Sequence, residues 1–441
     1  MAGEAVLAGK GQNLMLAALF CLGLLTYYVV FLRKRSGSVS ALAFSLWILY
    51  FALGCAGMVI AVTNVVPSVF EPNYRSTLFL SLCIMIGISG FLGFRADDLH
   101  EVLAGIRGQK LIEAVLVGLQ SFAILFFLPF ALSSLEGDAN INRLDVSNKA
   151  YLLGTYGLVN TLAGIASHLF PVSLVMAFIR LSQPTNSGGS FWRAVLLTFA
   201  SLSYVVYVLA YVGRDGVVYW IMTAGVIFLL FRSHLPKKRR RQVVIFGSTV
   251  TASILLPLII ITVARFVGSD VGLGWSILDY FGSQIQTFSD YSSINRPLTY
   301  GVMNFPIFMD VTCPAFISRC ESWEHIKIFV FDQYLVQGQA PWLFGTYVSD
   351  FVADFGHLGT LLALSVFSLI CHFTCTGRDA NGRLSIARFL LILFFFLVPY
   401  WGVFYFRFGI ANASIVANFA FIFFVWLVQR YYAPHRKQHF A

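Results

Sequence analysis

Long apolar runs recur along the whole chain, and short polar segments separate them. Each run holds about 20 residues, which is enough for a helix to cross a hydrocarbon core of about 30 Å. The pattern predicts eleven membrane-spanning helices, at residues 13–32, 42–66, 76–94, 111–135, 153–179, 194–213, 216–232, 243–264, 355–373, 388–406 and 409–429. The predicted fold class is therefore all-α, a polytopic membrane protein whose residues 1–441 form a single integral membrane domain.

The composition excludes a soluble globular protein, because 58% of the 441 residues are apolar and only 11% are charged. The net charge of +10 indicates topology, since 20 of the 30 Lys and Arg residues fall on one side of the predicted helices. These 20 residues lie near positions 33–35, 95–110, 180–193, 232–241, 378–388 and 430–437. Basic residues concentrate on the cytoplasmic side, so we expect a cytoplasmic C-terminus, an outer N-terminus and no nucleic-acid partner.

The longest stretch without a full apolar run, residues 266–345, lies on the outer side and is rich in aromatic residues. Such a sequence predicts one large outer loop with short helices on or in the membrane interface. Long loops in compact proteins are more often functional than connective. Cys313 and Cys320 both lie in this loop, where an oxidising compartment favours a disulfide between them; two small fillers in a buried segment are the alternative.

Single arginines stand near the outer ends of the predicted helices, at Arg214, Arg265, Arg296 and Arg407. An arginine at the rim of a helix bundle is costly unless it meets an anion or a buried acid. Several arginines on one face suggest a shared anionic ligand, and a lipid-linked pyrophosphate would fit. An interfacial anchor whose charged group reaches the membrane surface is the alternative for Arg214.

Three segments carry a recognisable pattern in order along the chain. The first comprises residues 212–217 (Val-Gly-Arg-Asp-Gly-Val), with an arginine and an acid between small residues. The second comprises residues 279–288 (Asp-Tyr-Phe-Gly-Ser-Gln-Ile-Gln-Thr-Phe), and the third residues 345–359 (Gly-Thr-Tyr-Val-Ser-Asp-Phe-Val-Ala-Asp-Phe-Gly-His-Leu-Gly). With these motifs, residues from about 150 to 430 resemble the oligosaccharide repeat-unit polymerases, the O-antigen polymerase (Wzy-type) family.

The resemblance implies a metal-independent glycosyltransferase of GT-C-like fold in the bacterial inner membrane, with no cofactor. Such an enzyme polymerises undecaprenyl-pyrophosphate-linked repeat units into O-antigen or a similar surface polysaccharide on the periplasmic face. Its implied partners are the lipid-linked glycans, the bilayer, a co-polymerase that regulates chain length and a flippase. The alternatives are an O-antigen ligase-like glycan transferase and a flippase or transporter for lipid-linked sugars.

The chemistry assigns roles to individual residues. Arginines would stabilise the charge that builds on the leaving pyrophosphate, and Asp350 or Asp354 would orient or deprotonate the acceptor hydroxyl. The two acids are four residues apart and share a helical face if the helix starts before them. A helix cap is the alternative for Asp354, and an interfacial hydrogen-bonded histidine is the alternative for His357. Substrate-binding roles for Asp215, Tyr347 and His357 follow from their places in the motifs.

Overall fold

The described part of the chain is helical throughout, with turns and no strand among its residues. A computed structural model describes residues 2–33, 40–63, 73–103, 106, 108–135, 157–183, 189–211, 213, 215–266, 278, 282–294, 298–305, 332–333, 335–336, 345–379, 382–406 and 412–432. The all-α membrane class predicted from the hydropathy pattern is confirmed.

Fifteen α-helices of five residues or more are numbered here along the described ranges. They are α1 (Ala2–Tyr27), α2 (Ala41–Thr63), α3 (Tyr74–Ser89), α4 (Leu99–Leu103), α5 (Gln109–Leu135), α6 (Gly157–Ser167), α7 (Phe170–Ser182), α8 (Gly189–Ser201), α9 (Ser203–Ala210), α10 (Asp215–Phe231), α11 (Lys237–Phe266), α12 (Gln284–Ser293), α13 (Thr346–Thr376), α14 (Ile386–Trp401) and α15 (Asn412–Tyr431). A π-helical turn, Tyr28–Leu32, continues α1.

Seven stretches of the described helices are long and apolar enough to cross a membrane by length and composition. They are Asn13–Leu32, Ala41–Thr63, Gln109–Ser133, Gly157–Ser182, Phe191–Ala210, Thr346–Thr376 and Ser414–Tyr431. Three more of the predicted spans coincide with the shorter apolar helices α3, α10 and α14. The remaining predicted span, 243–264, lies within α11, whose side chains are described only as far as Ser253.

The helices divide into two compact units, and each is interleaved along the chain. The first unit comprises Met1–Arg95, Val263–Gly377 and Phe394–Asn412, and the second comprises Ala96–Thr262, Arg378–Leu393 and Ala413–Ala441. The first unit therefore contains α1, α2, α3, α12, α13 and the end of α14, and α13 carries the third sequence motif.

Within the first unit, α3 approaches α13 along a row of glycines spaced three residues apart. A Cβ atom at Gly87, Gly90 or Gly93 would lie only 2.6–2.8 Å from a side-chain atom of α13. Membrane helices use small residues in this way to bring their backbones close together. Asn73 begins α3 as an N-cap, since its side chain accepts a hydrogen bond from the Ser76 amide at 3.2 Å.

α12 is buried rather than spread on the surface. Ile285 and Phe288 are 2% and 0% exposed, and Ile285 packs against Gly57 of α2. The backbone at Gly282, just before α12, also lies against Ala56 of α2, where a Cβ atom at Gly282 would meet the Ala56 carbonyl oxygen at 2.7 Å. This part of the 266–345 segment is therefore integrated into the helices of the first unit.

The second unit has an apolar core and a buried polar cluster. Its core includes Phe127 of α5, Ala163 of α6 and Ala210 of α9. In the cluster, the Arg180 guanidinium on α7 donates two hydrogen bonds to the Glu113 carboxylate on α5, at 2.6 and 2.9 Å. Such a paired geometry makes a buried charge tolerable.

Arg239 of α11 belongs to the same cluster and caps the end of α7. Its Nη1 atom donates to the carbonyl oxygens of Leu181 and Gln183 at 2.8 and 3.0 Å. Carbonyl groups at a helix C-terminus lack intrahelical partners, and a basic side chain satisfies them. Part of the basic block that indicated topology thus also holds two helices of the second unit together.

Candidate functional site

The third sequence motif forms a helix with a break in its first half. Gly356 within α13 has φ of 66° and ψ of 179°, a combination that is essentially restricted to glycine. A Cβ atom at Gly356 would meet only ordinary contacts with Leu298, so the requirement for glycine here comes from the backbone. The break divides α13 into a short segment that carries Asp350 and Asp354 and a long apolar segment after it.

Asp354 lies two residues before the break and its side chain is fully buried. One carboxylate oxygen accepts hydrogen bonds from the Met303 amide at 3.1 Å and from the Thr299 hydroxyl. The other accepts from the Asn304 amide at 3.0 Å and from the Asn304 side-chain amide. Four donors from residues 299–304 therefore satisfy this carboxylate.

The turn that surrounds Asp354 is shaped by its own backbone. Tyr300 and Gly301 both have positive φ, at 51° and 97°, and the Phe305 amide donates to the Gly301 carbonyl at 2.8 Å. The Tyr300 amide also donates to the Asp354 main-chain carbonyl at 2.9 Å. Successive amides that converge on one point form a concavity for an anion, and here the Asp354 carboxylate fills it.

Asp350 lies one helical turn before Asp354 and is partly exposed. Its Oδ2 atom accepts a hydrogen bond from the Phe406 amide at 2.6 Å. The Asn304 side-chain amide donates to the Asp350 main-chain carbonyl at 2.7 Å as well as to Asp354. Asn304 therefore ties both acid-bearing turns of α13 to the 299–305 turn.

Aromatic side chains pack beside the acids. The ring of Phe351 lies 5.2 Å from that of Phe406 and 6.1 Å from that of Phe305, both edge-on, and Phe305 lies 5.4 Å from Phe406. These distances are typical of favourable aromatic pairs. The acids are thus held at an apolar, rigid junction of three chain segments.

A second backbone connection fixes the start of α13. The Thr346 amide donates to the Phe404 carbonyl at 2.9 Å, and the Tyr347 amide donates to the Gly402 carbonyl at 2.7 Å. Thr346 has a positive φ of 69°, which is uncommon for a residue other than glycine. The segment after α14 therefore sets where α13 begins.

The structure decides some alternatives for the third motif. The Asp354 carboxylate accepts its hydrogen bonds from Thr299, Met303 and Asn304, so it does not cap the helical segment that follows the break at Gly356. The helix starts before both acids, as their shared helical face required, and Asn304 contacts both of their turns. The functional roles of Asp350 and Asp354 stay predictions.

Tyr347 and His357 lie in different surroundings. Tyr347 is 1% exposed, and its hydroxyl lies where a Cβ atom at Gly87 would approach it to 2.7 Å. Direct contact between Tyr347 and a ligand would require α3 to move. His357 is exposed beyond the break, with its ring edge-on to Phe79 at 4.8 Å.

The first sequence motif spans the connection from α9 to the start of α10 in the second unit. A Cβ atom at Gly213 or Gly216 would come within 2.6 Å of the Val208 side chain, which explains why glycines stand on either side of Arg214 and Asp215. Asp215 is the partly exposed first residue of α10. Arg214, which lies between Gly213 and Asp215 in the sequence, is outside the described residues.

The other predicted site residues also lie outside what is described. Arg296 and Arg407, and the disulfide candidates Cys313 and Cys320, fall in undescribed ranges. Arg265 lies in the last turn of α11, where side chains are not described. A shared arginine pocket and the disulfide therefore stay predictions. Within the described ranges, no three His, Cys, Asp or Glu side chains lie together as a metal site would require.

The residues that hold the acids were not among those predicted from the sequence. Thr299, Asn304 and Phe406 complete the arrangement, although none belongs to the quoted motifs. One local feature indicates a turn here: the Tyr300-Gly301 pair is followed by a polar Asn304 among apolar neighbours. Their partner could not be identified from spacing, because about 50 residues separate them from Asp354.

No protein-family model, curated protein or solved structure matches the chain. The likeness to the polymerases therefore rests on the three sequence motifs.

Proposed function

We propose that the chain is a membrane glycosyltransferase that polymerises undecaprenyl-pyrophosphate-linked repeat units into O-antigen or a similar surface polysaccharide. The proposal places about eleven membrane-spanning helices, in a GT-C-like arrangement, in the bacterial inner membrane, with the reaction on the periplasmic face. The observation that carries it is the break in α13 at Gly356, with Asp350 and Asp354 on the short helical segment before it. The first and second motifs support it by their order along the chain.

A buried acid at a helix break is expensive in a membrane protein. Irregular backbone at membrane depth is tolerated where it is buried in protein or lines a cavity, and an ionisable residue there indicates a functional site. Asp354 uses its carboxylate to hold the 299–305 turn against α13. These bonds, with that of Asp350 to Phe406, connect α13 to the 299–305 turn and to the segment after α14. Such connections suit a site whose acids must keep a fixed position.

The reaction needs one base and one stabilised leaving group. The acceptor hydroxyl oxygen attacks the anomeric carbon of the donor glycan, and the bond from that carbon to the pyrophosphate oxygen breaks. Undecaprenyl pyrophosphate leaves with the electron pair, and the hydroxyl proton passes to a carboxylate. We assign that carboxylate to Asp350, which is partly exposed, whereas the oxygen atoms of Asp354 are occupied by four donors.

The arginines would bind the pyrophosphate. Arg214, Arg265, Arg296 and Arg407 supply planar forks of donors that match phosphate oxygens and keep their charge. In this proposal Asp215 orients Arg214, Tyr347 positions the start of α13, and His357 contacts the glycan. A flippase would deliver the repeat unit, and a co-polymerase would set the chain length.

Reconstitution tests the proposal with a defined substrate. Purified protein in liposomes, supplied with an undecaprenyl-pyrophosphate-linked repeat unit, should produce a ladder of longer lipid-linked glycans. Arg214→Lys should lower the rate about tenfold or more, because an ammonium cannot form the planar fork and a charge-assisted hydrogen bond contributes roughly 1.5–3 kcal/mol. The measurement is the initial rate of ladder formation.

Arg193→Lys is the matched control, since Arg193 is an exposed arginine on the side predicted to be cytoplasmic, and its rate should not change. Near-normal polymerisation by Arg214→Ala at equal protein level would contradict the assignment. In cells, loss of the protein should leave single repeat units on the carrier. Polymer that stays on the carrier would indicate a ligase, and cytoplasmic accumulation of the unit a flippase.

Cysteine labelling tests the topology on which the site depends. In a cysteine-free background, Val336→Cys should react with a membrane-impermeant thiol reagent in spheroplasts, because Val336 is 82% exposed in the predicted outer segment. Lys238→Cys, in the exposed basic block, should react only after the membrane is opened. The reverse pattern of labelling would place the acids on the cytoplasmic side and refute a periplasmic reaction.

A further inference from the structure

A cavity of about 690 Å³ lies in the second unit, lined by α14, α15 and the segment before α14. Polar groups cluster at one end, where α14 begins and α15 ends. These are Asp379, Ser385, Arg388, Gln429 and Arg430. The arginines belong to the groups of basic residues that predict the cytoplasmic side, so this end faces the cytoplasmic surface of the membrane.

The rest of the cavity is apolar. Phe419, Phe423 and Trp426 line it from α15, at the spacing of one helical face. All three are well exposed, at 42%, 57% and 40%. A helix rises 1.5 Å per residue, so the wall from Phe419 to Arg430 is roughly 16 Å long. The cavity is thus charged at its mouth and apolar along its length, like a lipid.

Arg388 is the strongest sign that the mouth takes an anion. Its Nη1 atom is buried, and among the described residues it has no hydrogen-bond acceptor. A buried charged donor without an acceptor is costly, and an anionic ligand would supply the acceptor. The side chain also lines the cavity, so a ligand in the cavity would be within its reach.

Arg430 provides the second cation from the opposite helix. Its guanidinium lies 5.2 Å from the centre of the Trp426 ring, a cation–π contact that holds it at the boundary between the charged and apolar parts. The acid at the mouth, Asp379, already accepts the Arg383 amide at 2.7 Å. Two arginines and one acid leave a net positive charge.

We propose that this cavity binds a net-anionic glycerophospholipid of the cytoplasmic leaflet. Its phosphodiester lies between Arg388 and Arg430, and an acyl chain lies along Phe419, Phe423 and Trp426. Basic pockets between membrane helices on the cytoplasmic side bind anionic lipid head groups, and the aromatic wall adds apolar contact that a soluble phosphate cannot use. This proposal does not depend on the proposed glycosyltransferase activity.

Native mass spectrometry of the full-length protein in detergent tests the site. Titration with dioleoylphosphatidylglycerol should give a bound lipid at lower concentration than titration with dioleoylphosphatidylethanolamine, and glycerol 3-phosphate should not bind in the same range. Arg388→Gln and Arg430→Gln should each raise the phosphatidylglycerol concentration for half occupancy about tenfold. Arg383→Gln, an exposed arginine outside the cavity, should leave it unchanged.

Three results would overturn the proposal. Equal binding of the two phospholipids would remove the role of net charge, and equal binding of glycerol 3-phosphate would make this a site for soluble phosphate. Unchanged binding in both arginine variants would place the lipid elsewhere. Arg430 is exposed at the end of α15, so its replacement keeps the helix packing intact and the comparison stays valid if Arg388→Gln fails to fold.

Discussion

Asp354→Ala should destabilise the first unit by roughly 4 kcal/mol or more. The change leaves four donors from Thr299, Met303 and Asn304 without their acceptor, and the two Asn304 donors are buried. Each buried donor that loses its partner costs about 1–3 kcal/mol. Thermal unfolding of the purified protein in detergent, followed by tryptophan fluorescence, should show a midpoint well below that of the wild type.

Two further variants make this result specific. Asp354→Asn keeps one acceptor oxygen, enough for one of the two pairs of donors, so its midpoint should fall between those of the wild type and Asp354→Ala. Asp379→Ala removes an exposed acid that accepts one backbone amide and should change the midpoint little. Equal midpoints for Asp354→Ala and Asp379→Ala would mean that the carboxylate does not hold the turn.

Gly356→Ala should disrupt the break in α13 and abolish the proposed polymerisation. Alanine at φ of 66° and ψ of 179° lies in a region that is essentially restricted to glycine, with a cost of about 1–3 kcal/mol. To avoid this cost the helix must straighten, which moves Asp350 and Asp354 relative to the 299–305 turn. Unfolding midpoint and polymer yield should both fall.

Gly225→Ala is the matched control in the interior of α10. A Cβ atom there would meet nothing within 4 Å, and alanine is favoured over glycine in a helix by up to about 1 kcal/mol. The two glycine-to-alanine changes should therefore shift the unfolding midpoint in opposite directions. A stabilising Gly356→Ala would show that α13 has no break at this residue.

Hydropathy predicted the positions of the spanning helices well where apolar runs are uninterrupted. The prediction of a helix over 42–66 corresponds to Ala41–Thr63. The predicted span 355–373 matches the long segment of α13 after the break at Gly356, and hydropathy missed only the short helical segment from Thr346 to the break. Asp350 and Asp354 lie in that short segment, and their partners come from residues 299–304 and 406. Pairings over such distances leave no periodic signal in the sequence.

Breaks within an apolar run were equally invisible to hydropathy. The predicted span 153–179 contains two helices, α6 and α7, which meet at His168 and Leu169. Pro171 stands at the start of α7, a position that proline favours. Because a straight and a broken helix can have the same mean hydropathy, the proline was the only local indication of where the second helix begins.

Because the first unit joins early and late parts of the chain, some of its contacts can form only at the end of synthesis. The Tyr50 hydroxyl donates to the Pro399 carbonyl at 2.7 Å, across 349 residues of sequence, and the start of α13 bonds to Phe404 and Gly402. These bonds form only after the ribosome has made almost the entire chain. Until then the Tyr50 hydroxyl of α2 lacks this acceptor, and a polar group without a partner is costly in an apolar environment. A nascent chain that stops before Pro399 therefore lacks the acceptor that the Tyr50 hydroxyl has in the finished first unit.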